Sequence, residues 1–78
     1  MEKKLLSATM KFNLACLNKL TEKEKAGWTG WDSEDYDGIF DSRIETLAKG
    51  ELTQNNLVNI SNYCMFLWNI KELRKEVK

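Results

Sequence analysis

Seventy-eight residues with twelve basic and twelve acidic side chains give a chain of zero formal net charge. Such a balance does not fit a nucleic-acid or membrane-surface polycation, so no DNA, RNA or membrane partner is expected. Histidine is absent, which excludes imidazole zinc ligands and histidine-based acid–base catalysis.

The length suits one domain near the lower limit for a self-sufficient core, where a partner or a staple adds stability. Cys16 and Cys64 lie far apart in apolar stretches and read as two buried, reduced thiols acting as small hydrophobes. Residues 1–6 lack the unbroken apolar run of a signal peptide, and the apolar run at residues 63–68 is far too short to span a bilayer. A cytoplasmic protein is the expectation.

With no proline and four glycines, punctuation is sparse and long helices are favoured. Helix one is predicted at about residues 3–20. At 100° per residue, Leu5, Leu6, Met10, Leu14, Cys16, Leu17 and Leu20 share one broad face, with Phe12 at its edge. Thr21-Glu22-Lys23-Glu24 has the form of a capping box and could open one extra short helical turn ending at Gly27. Residues 27–32, Gly-Trp-Thr-Gly-Trp-Asp, form the main break: two glycines permit turns, and two tryptophans need a surface to bury against.

Helix two is predicted at about 33–49, capped by Asp32 or Ser33, with Tyr36, Ile39, Phe40, Arg43, Ile44 and Leu47 facing inward and Gly50 as its stop. Thr53 then caps helix three, about 54–76, whose middle is apolar almost all round: Leu57, Val58, Ile60, Tyr63, Cys64, Met65, Phe66, Leu67, Trp68 and Ile70. The chain therefore reads as an all-α three-helix bundle around a central apolar C-terminal helix. Two shorter helices cover part of that helix, and the rest implies a homo-oligomer through helix three.

Four features carry chemical possibilities. Asn55, Asn59, Asn62 and Asn69 form one stripe of helix three. Side-chain amides offer donors and acceptors suited to base edges, ribose hydroxyls or phosphate, but they could equally pair with Asn13 and Thr9 of helix one. Trp28, Trp31, Tyr36, Tyr63 and Trp68 could stack on an aromatic ligand or simply close a small core. Glu34, Asp37, Asp41 and Glu45 align at spacings of three and four, the face that a magnesium site would use or an ordinary solvated face. Lys71, Arg74, Lys75 and Lys78 suit a helix C-terminus or attraction of phosphate. The residue pattern includes no nucleophile triad, glycine-rich phosphate loop or CxxC pair.

Residues 58–69 read Val-Asn-Ile-Ser-Asn-Tyr-Cys-Met-Phe-Leu-Trp-Asn, after Lys49-Gly50-Glu51 and the Gly27-Trp28 segment. Over about residues 27–70 the chain resembles small phage-type proteins related to MazG-like nucleotide pyrophosphohydrolases. In that group a Gly-Trp segment precedes an acidic helix, a Lys-Gly-acid turn follows, and the next helix has the form Asp-Val-Ala-Asn-Phe-Ala-Met-Met-Leu-Trp-Asn. The resemblance implies an all-α, oligomeric fold that handles nucleotides. This chain departs from it by carrying Asn59 where the enzymes carry a magnesium-holding acid, and by keeping Glu45 without a clustered Glu-Glu-x-x-Glu pattern.

A pyrophosphohydrolase needs the metal to neutralise phosphates and activate water. The expectation is therefore non-catalytic binding of a nucleotide-like small molecule, without a cofactor, such as a phage protein sequestering a host nucleotide signal. Asn59, Asn62 and Asn69 would read polar edges, and Trp28, Trp31 or Tyr63 would stack. Two other readings stay open. One is a protein-interaction or inhibitor module acting on a host protein. The other is a minimal magnesium-dependent pyrophosphohydrolase using Glu34, Asp37, Asp41 and Glu45.

Overall fold

The computed structural model describes residues 1–33 and 36–76, the side chains of Asp37 and Glu76 excepted. Three helices account for its regular structure: α1 Lys3–Lys25, α2 Asp37–Lys49 and α3 Gln54–Glu76. α3 is central, with α1 and α2 both packed against it, as the apolar pattern of its middle leads one to expect. None of these helices is long and apolar enough to cross a membrane among the described residues.

α1 runs five residues past its expected end. Thr21 does not start a new turn: its hydroxyl donates to the Leu17 carbonyl at 2.9 Å, inside the helix. The helix stops at a Schellman motif, in which the Gly27 N–H donates to Glu24 O at 3.0 Å and the Trp28 N–H to Lys23 O at 3.0 Å. Gly27 takes φ +88° there, a left-handed conformation that glycine adopts without a side-chain penalty. The motif fixes where Trp28 leaves the helix, and Lys23 lies 5.4 Å over its ring.

α2 begins at Asp37 rather than 33, with Tyr36 in the capping position and no side-chain cap. Before it, Ser33 N–H donates to Gly30 O at 3.2 Å and Tyr36 N–H to Ser33 O at 3.0 Å. Glu34 and Asp35, which the sequence places in the first turn of the predicted helix, suited to its dipole, lie outside the described residues. Gly50 does end α2, in an extended rather than left-handed conformation (φ −88°, ψ −163°). Thr53 caps α3 as expected: its Oγ1 accepts from the Asn56 N–H at 3.1 Å. The Asn56 side chain adds a second tie by donating to Glu51 O at 2.8 Å.

The core is small and aromatic. Phe40, Tyr63, Phe66 and Ile70 are buried together, with Leu20, Trp28, Trp31, Ile44 and Leu47 packed around them. Phe66, 2% exposed, is the hub: Trp28, Trp31 and Phe40 lie 5.2, 5.3 and 5.2 Å from it by ring centroid. Offset aromatic pairs of this kind add roughly 0.5–1.5 kcal/mol each beyond the area they bury.

Several expected core residues lie elsewhere. On α1 only Cys16 is buried, while Leu5, Leu6, Met10, Phe12, Leu14 and Leu17 are 41–62% exposed. Tyr36, at the cap of α2, and Ile39 and Arg43 within it are also exposed. Cys64, expected to be buried, faces solvent from the outer side of α3, and both thiols are free. The reason is geometric. α3 meets its two neighbours on one broad arc, leaving its opposite face, with Leu57, Cys64 and Trp68, open.

Candidate functional site

The Schellman turn and the Gly30 turn bring both loop tryptophans back onto α3. Gly30 has φ +80°, and this second left-handed residue lets the chain reverse between the two indoles. The result is a cavity of about 380 Å³ lined by Leu20 and Glu24 of α1, by Trp28 through Trp31, and by Met65 and Phe66 of α3. Two stretches far apart in sequence, residues 20–31 and 65–66, thus converge on one concave surface with two indoles and a carboxylate.

The electrostatics of this region are mixed. Lys23 lies between two rings, 5.4 Å from the centroid of Trp28 and 5.7 Å from that of Tyr63, beside the cavity rather than in its lining. Glu24 is the acidic group in the lining. A carboxylate accepts hydrogen bonds only, so it suits an exocyclic amine of a base and disfavours phosphate at that point. Phosphate would be better placed toward Lys23.

The expected ligand residues are not gathered into one site. Trp28 and Trp31 line the cavity, half-buried. Tyr63 is in the core, stacked on Phe40 at 5.6 Å, and its hydroxyl accepts from Arg43 Nη1 at 3.4 Å. Asn62 is 3% exposed, and its Nδ2 donates to the Cys16 carbonyl of α1 at 3.3 Å. Asn69 donates to Met65 O of its own helix at 2.9 Å. Asn59 is half-buried, and its Oδ1 is enclosed without a hydrogen-bond partner among the described residues.

The asparagine stripe is therefore divided among different environments. Asn55 is exposed and lines a separate groove with Ala15, Asn18 and Val58. The anticipated partners on α1 do not meet the stripe: Thr9 bonds back to Leu5 O at 2.8 Å, and Asn13 is exposed. The α1 group that does meet it is the backbone carbonyl of Cys16, which a side-chain pattern cannot reveal.

Of the acidic stripe, Asp41 and Glu45 are exposed, while Glu34 and the Asp37 side chain lie outside the described residues. Among the described residues no three His, Cys, Asp or Glu side chains gather as a metal-holding group. At the C-terminal end, Lys75 pairs with Glu72 at 3.2 Å, Lys71 is exposed, and Lys78 lies outside the described residues. Sequence reasoning missed Leu20, Glu24, Met65 and Phe66 as cavity residues. The usable signal was Gly27, since a Schellman stop there returns the following Trp onto the last turns of α1.

Fold and cavity together define a small all-α protein with an aromatic concavity between a helix end, a loop and a central helix. Comparison with protein-family models, with curated proteins and with solved structures returns no match.

Proposed function

We propose that the chain is a non-catalytic binding protein for a nucleotide-like small molecule, held against Trp28 and Trp31. The observation that carries this reading is the cavity of about 380 Å³ with two indoles in its lining, a volume within the roughly 300–1,000 Å³ of small-molecule sites. Indole faces stack on bases without sequence preference, at roughly 1–3 kcal/mol per base. Glu24 would accept from a base amine, and Lys23 would meet the anionic end.

The reading differs from the sequence expectation in its residues. The binding surface is moved from the asparagine stripe to the tryptophan loop, because Asn62 and Tyr63 are engaged inside the fold. The resemblance to phage-type relatives of nucleotide pyrophosphohydrolases supports a nucleotide as the ligand class, and Asn59 in place of a metal-holding acid supports binding without turnover. Sequestration of a host nucleotide signal is the role that follows from these two points.

The test is a thermal-shift and calorimetric panel of linear and cyclic mono- and dinucleotides, with and without magnesium, followed by chromatography of the recovered nucleotide. The proposal expects at least one nucleotide to stabilise the protein and to be recovered intact. Magnesium-dependent turnover would contradict the non-catalytic part. Silence across the whole panel would sink the nucleotide reading and leave a protein-interaction module in its place.

A further inference from the structure

We infer that the exposed apolar face of α1 is covered by a second copy of this chain, in a two-fold antiparallel pairing of α1 with α1. The chain has an accessible surface of 6167 Å² at 9.1 kDa, whereas a compact monomer of that mass exposes about 4,900 Å². The excess, about 1,300 Å² over the whole chain, is larger than the ~800 Å² that one partner contributes to a standard interface.

Shape agrees with area. The radius of gyration is 14.0 Å and the long axis 40 Å, against a radius of about 11.5 Å for a compact domain of this length. An α1 of 23 residues is about 34 Å long. It is covered near Cys16 and Leu20, and its Ala8, Lys11, Phe12 and Ala15 side borders a groove against the first turns of α3, while Leu6, Met10 and Leu14 are exposed.

The pattern on that face is a helix-pairing seam. Leu6, Met10, Asn13 and Leu17 follow one another at intervals of four, three and four, the alternating spacing of a coiled-coil seam. A two-fold antiparallel register places Leu6 against the second copy's Leu17 and Met10 against its Asn13. Asn13, exposed in one chain, is then the lone polar residue that each copy places in the seam.

The helix dipoles select the direction. A parallel pair would bring Lys3 and Lys4 of both copies together. The antiparallel pair separates them and opposes the two helix dipoles, although the end they then meet carries Lys19, Lys23 and Lys25 as well as Glu22 and Glu24. The expected oligomer is thus retained, with its contact moved from α3 to α1.

Sedimentation equilibrium of the full chain to high micromolar concentration tests this. The wild type should show twice the 9.1 kDa chain mass. A Leu6→Glu, Leu17→Glu variant should raise the dimer dissociation constant by at least about 100-fold, since a two-fold contact loses each leucine twice. Both leucines are exposed in the single chain, so the variant should keep its helical circular dichroism. Trp68→Glu, on the open face of α3, should leave the dimer intact. A wild type of single-chain mass throughout would overturn the inference, as would a dimer that Trp68→Glu dissociates and the leucine variant does not.

Discussion

Asn62 on α3 reaches across to α1, its side-chain amide donating to the backbone carbonyl of Cys16 at 3.3 Å. It is the buried polar side chain among the described residues, and it ties the helix carrying the asparagine stripe to the helix that carries the exposed apolar face. A residue that looks like part of a recognition surface in sequence is, in the fold, an inter-helix fastening.

Asn62→Ala should therefore lower stability without touching ligand affinity. Loss of the bond and of the buried volume should cost about 1–3 kcal/mol, read as a lower urea midpoint. Nucleotide affinity of the folded fraction should be unchanged. An affinity loss at unaltered stability would return Asn62 to the binding surface.

Phe66 joins the two tryptophans, Phe40 and Tyr63 in one cluster. Phe66→Ala should remove about 3–5 kcal/mol, which in a domain this small is comparable to the whole stability. The variant should be largely unfolded by far-ultraviolet circular dichroism at 25 °C, while Phe66→Leu should fold with a reduced melting temperature. A Phe66→Ala chain melting like the wild type would contradict the hub role.

Gly30 stands at φ +80° between the two loop tryptophans. A Cβ there would meet Tyr36 Cε2 at an ordinary 3.7 Å, so strain would come from the backbone alone. Gly30→Ala should cost roughly 1–2 kcal/mol, seen as a lower denaturation midpoint. Because that strain acts on the loop forming the cavity wall, nucleotide affinity should fall too.

The two thiols should separate cleanly. Cys16 is buried and Cys64 exposed, so a chromogenic disulfide reagent should consume one equivalent of thiol quickly in native buffer. The second should react only at the rate of unfolding. Two fast equivalents would mean that α1 does not hold Cys16 against α3.

The helices were legible because their signals are local: Thr53 before α3, glycine at Gly27 and Gly50, and no proline anywhere. The start of α2 was misplaced because Asp32 and Ser33 look like caps, while the Trp loop uses that stretch for turns that return Trp31 to Phe66. Burial was the less legible part. A helical wheel gives the apolar face of α1 but not how much of it a neighbour covers, and on α1 only Cys16 is buried. The cavity was half visible for the same reason. Trp28 and Trp31 announce themselves, whereas Glu24 and Met65 join them only through tertiary packing.

The most direct test of the binding account is a nitrogen–proton correlation spectrum of the three tryptophan indoles during titration with the nucleotide that the panel identifies, or with each panel nucleotide in turn. Trp28 and Trp31 line the cavity, while Trp68, 63% exposed on the open side of α3, serves as an internal control. The account predicts saturable shifts of the Trp28 and Trp31 indole signals with Trp68 unmoved. Shifts confined to Trp68, or none with any nucleotide, would contradict it.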